Sequence, residues 1–213
     1  MDKESLIVSL KKDGYLKSPL IAEAFRAVDR KDFVPEDVRD SAYENIPLLI
    51  GFSQTISQPL TVAFLLELLE LKRGEKVLDI GSGSGWLAAL MADLVFDEES
   101  KTGRVVSVER IPELKAFAEK NVAKYERLKK ATSFVVGDGS FGFPDEAPFD
   151  KIVASATTDE IPAAWKEQLK IGGRIVAPVR ESIVVLDKIS KDEFSKRQHF
   201  GFSFVPLVKG LTN

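Results

Sequence analysis

After about residue 74 the chain alternates short apolar runs with segments of helical period. Residues 76–80, 104–108, 133–136, 151–154 and 174–179 are brief and mostly β-branched or aliphatic, as strands covered on both faces require. Between them, apolar positions recur every three to four residues. Trp86, Leu87, Leu90, Met91 and Leu94 form one such set, and Leu114, Phe117, Ala118 and Val122 another, with Pro112 suited to a first helical position. A further helix is expected to open at Ile161-Pro162, carry Trp165 and Leu169 on one face, and stop at Gly172-Gly173. This rhythm predicts an α/β fold with a doubly wound, mainly parallel, Rossmann-like sheet. Residues 183–189 and 199–205 read as two further strands around a polar segment, and predict an antiparallel hairpin at the C-terminal end of the sheet.

Residues 1–74 have a different character. Leu6, Ile7 and Leu10, then Ile21, Ala24, Phe25 and Val28, predict two amphipathic helices. Residues 43–58 carry breakers (Pro47, Gly51) and read as a structured loop, followed by an apolar helix over residues 61–71. The expected organisation is one compact domain, in which residues 1–74 pack on a core of residues 75–213. The polar run 97–103 reads as a surface loop.

Composition narrows the function. The chain has 213 residues, 44% of them hydrophobic, which suffices for a sizeable core. A net charge of −3 gives no electrostatic footprint for nucleic acid. With no cysteine and a single histidine, His199, no metal site, disulfide framework or thiol nucleophile is expected. The N-terminus lacks the apolar run of a signal peptide, and no segment is apolar for long enough to span a bilayer, so a cytoplasmic monomer is expected.

The chemistry concentrates where the first strand of the core ends. Asp79 is followed by Gly81-Ser82-Gly83-Ser84-Gly85, a turn through which a ligand can approach the backbone closely. The dinucleotide fingerprint requires a small residue at position 86, and Trp86 stands there. That disfavours NAD or FAD and favours S-adenosylmethionine, which has no pyrophosphate to cradle. Ligands in open α/β sheets bind outside the carboxyl ends of the strands. At those ends Glu109 is placed to accept from ribose hydroxyls, Asp138-Gly139 to meet an adenine amino group, and Ser155-Ala156-Thr157 to sit beside a transferred methyl group.

Upstream, Gly51-Phe52-Ser53-Gln54-Thr55-Ile56-Ser57-Gln58-Pro59 is similar to a loop of restricted occurrence, G-x-G-Q-T-I-S-Q-P. With Phe33-Val34-Pro35, Gly137-Asp138-Gly139, Pro148-Phe149-Asp150 and Phe204-Val205-Pro206, it resembles the protein-L-isoaspartate (D-aspartate) O-methyltransferase family over roughly residues 20–210. The resemblance implies methylation of the α-carboxylate of L-isoaspartyl residues in damaged peptides and proteins, after which the ester closes to a succinimide. It implies S-adenosylmethionine as cofactor, held by Asp79, Gly81, Ser82, Gly83, Gly85, Glu109, Asp138 and Gly139, and an active-site serine at Ser57. Such a carboxylate is already ionised at pH 7, so positioning matters more than a general base, and Ser57 and Thr55 are suited to orient it. The chain departs from the family at Leu49, where proline is common, at Ser53 and Arg180, where glycine is usual, and across Thr157-Thr158-Asp159. Another carboxylate or small molecule as substrate, or an inactive cofactor-binding module, are the alternative readings.

Overall fold

The computed structural model describes residues 1–210. Two helices come first, α1 (Lys3–Lys12) and α2 (Pro19–Ala27), each opened by a side-chain cap: Asp2 accepts from the Ser5 amide and Ser18 from the Ile21 amide. A small hairpin follows, β1 (Leu48–Gly51) and β2 (Gln54–Ile56), then α3 (Pro59–Leu69). The core then alternates: β3 (Lys76–Ile80), α4 (Trp86–Val95), β4 (Arg104–Glu109), α5 (Pro112–Val122), the single-turn α6 (Glu126–Lys129) and β5 (Thr132–Val136). It closes with β6 (Phe149–Ala154), α7 (Ala163–Gln168), β7 (Leu169–Val179), β8 (Ser182–Lys188) and β9 (Phe194–Phe200).

Seven strands form one sheet in the order β5-β4-β3-β6-β7-β8-β9. The pairs from β5 to β7 are parallel, and β7-β8-β9 is antiparallel. The chain leaves β3 towards β4 and β5, then returns to β6 on the other side. Strand order therefore reverses between β3 and β6, the place where such sheets bind ligands. The apolar faces of α1 and α2 join α3, α4 and one side of the sheet in a single buried cluster, from Leu6 to Val185. The other side of the sheet buries Trp165 of α7 among Phe149, Ile152 and Ile175. Among the described residues no helix is long and apolar enough to cross a membrane.

Three segments differ from the sequence reading. Residues 43–58 are not wholly a loop, because β1 and β2 pair with Leu48 opposite Ile56 and Leu49 opposite Thr55. The strands are too short to show an alternating pattern, and the turn between them puts Phe52 and Ser53 at φ 52° and 56° without a glycine at either position. Gly172-Gly173 does not stop α7, which ends at Gln168 and runs directly into β7. The glycines sit instead within that strand, near a slip in its register against β6, and a Cβ on Gly173 would lie 2.8 Å from the Asp150 carbonyl. The last strand is Phe194–Phe200, not 199–205. As an edge strand it buries little, so its polar sequence reads as loop. Its register comes from the turn that the Ile189 amide closes on the Glu193 carbonyl at 2.9 Å.

Candidate active site

Three glycines shape the turn after β3. Gly81 and Gly85 take φ values of 87° and 84°, which disfavour any residue with a side chain. A Cβ on Gly85 would also meet Ala118 of α5 at 3.0 Å, whereas one on Gly81 would meet nothing within 4 Å. Gly81 therefore leaves open space over the sheet, and Gly85 lets the helices close beneath it. Trp86 fills the other side of α4, edge-on to Phe25 at 5.3 Å.

Glu109 ends β4 under this turn. Its Oε2 accepts from the Gly83 amide at 3.0 Å and its Oε1 from the Ile111 amide at 3.1 Å, so the carboxylate both fixes the turn and borders the open space. Asp79 lies one layer deeper and is 1% exposed. The register sets Asp79 opposite Ser107, whose hydroxyl donates to Oδ2 at 2.9 Å. Oδ1 has no partner, and neither has the buried Ser82 hydroxyl, among the described residues. Burial pushes the Asp79 carboxyl up to about 7; the Ser107 bond opposes this and the charge of Glu109 adds to it.

Gly81, Gly83, Glu109 and Gly139 line a cavity of about 80 Å³ with Thr55, Ser155 and Val205. A second cleft of about 300 Å³ is lined by Thr55, Ser57, Gln58, Thr61, Ser155 and Val205. The two spaces thus meet at Thr55, Ser155 and Val205. The side-chain hydroxyls of Thr55, Ser57 and Ser155 make no hydrogen bond to protein among the described residues. Three short donors facing one cleft, none absorbed by its own loop, are arranged to bind an anionic group.

Asp138 is placed differently from the expectation. Its carboxylate accepts from the Ser140 amide at 2.9 Å and from the Gly210 amide at 2.7 Å. Burial raises its pKa, but these hydrogen bonds outweigh burial and hold it below the usual range. It anchors a C-terminal strap, residues 203–210, that crosses the carboxyl end of β6, where the Thr157 amide donates to Val205 and the Leu207 amide to Thr157, both at 2.8 Å. Gly139 beside it packs against Ile80, where a Cβ would come within 2.5 Å of a methyl group.

The residue that pattern reading missed is Arg30. It is 2% exposed, and its guanidinium donates to the carbonyls of Ala42 at 2.8 Å, Ile46 at 3.0 Å and Ser57 at 3.0 Å, while lying over the Trp86 ring at 5.3 Å. Burial lowers its pKa to about 9. In sequence it is one charge in the polar run Asp29-Arg30-Lys31-Asp32, with nothing to set it apart from a solvated residue. The loop it holds is pinned again at Asn45, which accepts from the Gln58 side chain at 2.8 Å and from the Leu60 amide at 2.9 Å.

The sheet order and the glycine turn at its switch point define a Rossmann-like transferase of the methyltransferase class. The family model for protein-L-isoaspartate(D-aspartate) O-methyltransferase (PCMT) matches residues 1–212, and the chain belongs to that family. It is 45% identical to a protein-L-isoaspartate O-methyltransferase of Methanopyrus kandleri, over 97% of this chain and 91% of the relative. It is also 45% identical to that of Ignicoccus hospitalis, over 97% of each. A Plasmodium falciparum PCMT crystal structure, in complex with S-adenosyl-L-homocysteine, superposes with a TM-score of 0.89 at 26% identity and covers 99% of this chain and 100% of its own.

Proposed function

We infer that this chain is a protein-repair carboxyl methyltransferase, which moves a methyl group from S-adenosylmethionine to the α-carboxylate of L-isoaspartyl residues in damaged peptides and proteins. Family membership and near-full-length relatives of that name support the activity. The observation that carries the site is the set of unpartnered hydroxyls of Thr55, Ser57 and Ser155 on one cleft, which joins the glycine-turn cavity at Thr55 and Ser155.

The residues present suit the cofactor. Gly81 leaves room for close approach, Gly83 and Glu109 border the cavity, and the orphaned Asp79 Oδ1 and Ser82 hydroxyl add unspent polar capacity below. Gly85 and Gly139 act through packing, and Asp138 holds the strap over the site. Val205, Pro206 and Val208 of the strap line this cavity from the opposite side. When bound, S-adenosylmethionine supplies an electrophilic methyl group on a cationic sulfonium.

The protein's own work is positioning. A carboxylate is ionised near neutrality and needs no base. Ser57 and Thr55 donate to it and fix its direction. Arg30 holds the Ser57 backbone, and so the place from which its hydroxyl reaches the cleft. Ser57→Ala tests this assignment. Loss of one orienting bond is expected to lower turnover on an isoaspartyl peptide about 30- to 100-fold. Affinity for S-adenosylhomocysteine is expected to change little. Near-normal turnover would pass the role to Thr55 and Ser155.

The family departures at Thr157, Thr158 and Arg180 bind one another. The Thr157 hydroxyl donates to the Arg180 carbonyl at 3.1 Å, and the Arg180 amide to the Thr158 carbonyl at 2.9 Å. None of the three lines the Ser57 cleft; with Asp159 they line a separate cleft of about 620 Å³. Residues 1–74 and 75–213 acting as one folding unit, and a monomer working in the cytoplasm, belong to the same proposal; a single unfolding transition, gel filtration and cell fractionation test them.

A further inference from the structure

The hairpin that delivers Thr55 to the cleft exposes two large apolar side chains. Leu49 is 64% exposed and Phe52 55% exposed. Along β1 burial alternates, so Leu48 and Ile50 face the core while Leu49 faces outward. Leu49 lies directly opposite Thr55 in the antiparallel register, so the two side chains stand on the same face of the hairpin. Phe52 occupies the turn in the left-handed region, with φ 52°, a conformation that costs a bulky residue energy without gaining it any burial. No charged residue lies between Glu44 and Glu67, in a chain that is 30% charged. An uncharged, strained and exposed apolar tip does nothing for stability. It is continuous with the cleft through Thr55.

We propose that Leu49 and Phe52 form a specificity element that receives an apolar side chain on the substrate residue next to the isoaspartyl residue. This rests on the carboxylate lying against Thr55 and Ser57, as argued above. A substrate carboxylate there puts the neighbouring residue at the rim, where Leu49 is the side chain beside Thr55. An apolar neighbour removes the exposed surface of Leu49 and Phe52 from water, and a charged neighbour finds no counter-charge on the hairpin. Such contacts act equally on bound substrate and transition state, so the preference belongs in KM and not in kcat.

The test uses short isoaspartyl peptides that differ only in the flanking residue: leucine, serine or aspartate, placed before or after the isoaspartate. The full-length enzyme is expected to favour leucine over serine by about tenfold in kcat/KM on one side, through KM, and to disfavour aspartate further. In Leu49→Ser, and separately in Phe52→Ser, the leucine-to-serine ratio is expected to collapse towards one. Both positions are exposed, so an unchanged melting temperature and S-adenosylhomocysteine affinity verify that the variants fold. A wild-type enzyme indifferent to the flanking residue overturns the proposal, as does a preference that survives both substitutions. Methylation of none of the peptides overturns instead the isoaspartyl reading on which the proposal stands, and the proposal with it.

Discussion

The guanidinium of Arg30 donates to the carbonyl of Ser57 at 3.0 Å, across 27 residues of chain. A buried cation, with no acidic partner bonded to it among the described residues, thus secures the backbone of the serine assigned to substrate. Its two terminal nitrogens also reach other carbonyls of the same segment, at Ala42 and Ile46, while Nε has no partner among the described residues. One side chain therefore does for this loop what a strand ladder would do elsewhere.

Arg30→Met removes those donors and leaves buried carbonyls unpaired. The expected loss is about 3 kcal/mol or more, which is roughly 6–12 °C in melting temperature for a domain of this size. Arg30→Lys retains the charge but not the planar fork, and is expected to lose turnover beyond what its smaller thermal shift explains. Calorimetry beside steady-state methylation checks both. A melting temperature unchanged in Arg30→Met would mean that the loop stands without it.

Glu109 serves the turn as well as the cavity. Glu109→Ala is therefore expected to weaken S-adenosylhomocysteine about tenfold or more, and also to lower the melting temperature by a few degrees, since the Gly83 and Ile111 amides lose their acceptor. Titration calorimetry and a melt of the same sample measure the two effects. Full affinity in a destabilised variant would assign Glu109 to structure alone.

Asp79 gives the ligand-free protein a pH dependence of definite sign. Its folded pKa of about 7 stands above the ordinary value of 3.8. The folded state therefore holds the proton more tightly, and the associated stability is complete below about pH 4 and is lost as pH rises through about 7. Asp79→Asn cannot ionise, so its melting temperature is expected to gain on the wild type between pH 5 and pH 8. The cationic cofactor favours the ionised carboxylate, so wild-type affinity for S-adenosylmethionine is expected to rise over the same window and to flatten in the variant. A melting difference that stays constant with pH would show that Asp79 does not titrate there.

Much of this was legible in the sequence because the core obeys local rules. The central strands β3, β4 and β6 read correctly since burial on both faces leaves a largely apolar run, and α4 and α5 read correctly from period and from Pro112. The short hairpin did not, because its turn uses Phe52 and Ser53 in conformations that local chemistry disfavours. Nor did β9, whose edge position permits polar residues on both faces. The glycine turn and Glu109 declared themselves by position at strand ends. Arg30 did not, because its partners are backbone carbonyls supplied by a loop 12 to 27 residues away, and such acceptors leave no mark on the sequence. Asp138 was found, but its bond to Gly210 spans 72 residues and depends on how the strap returns.

The central claim is that hydroxyl donors at one cleft orient an isoaspartyl carboxylate for methyl transfer. The most direct measurement is transfer of labelled methyl from S-adenosylmethionine to a peptide containing L-isoaspartate, beside the same peptide containing L-aspartate. The β-linkage moves the carboxylate by one methylene, and a site that works by positioning must register that displacement. The account predicts labelling of the isoaspartyl peptide, base-labile as a methyl ester, and none of its aspartyl twin. Equal labelling of both, or of neither, would contradict it.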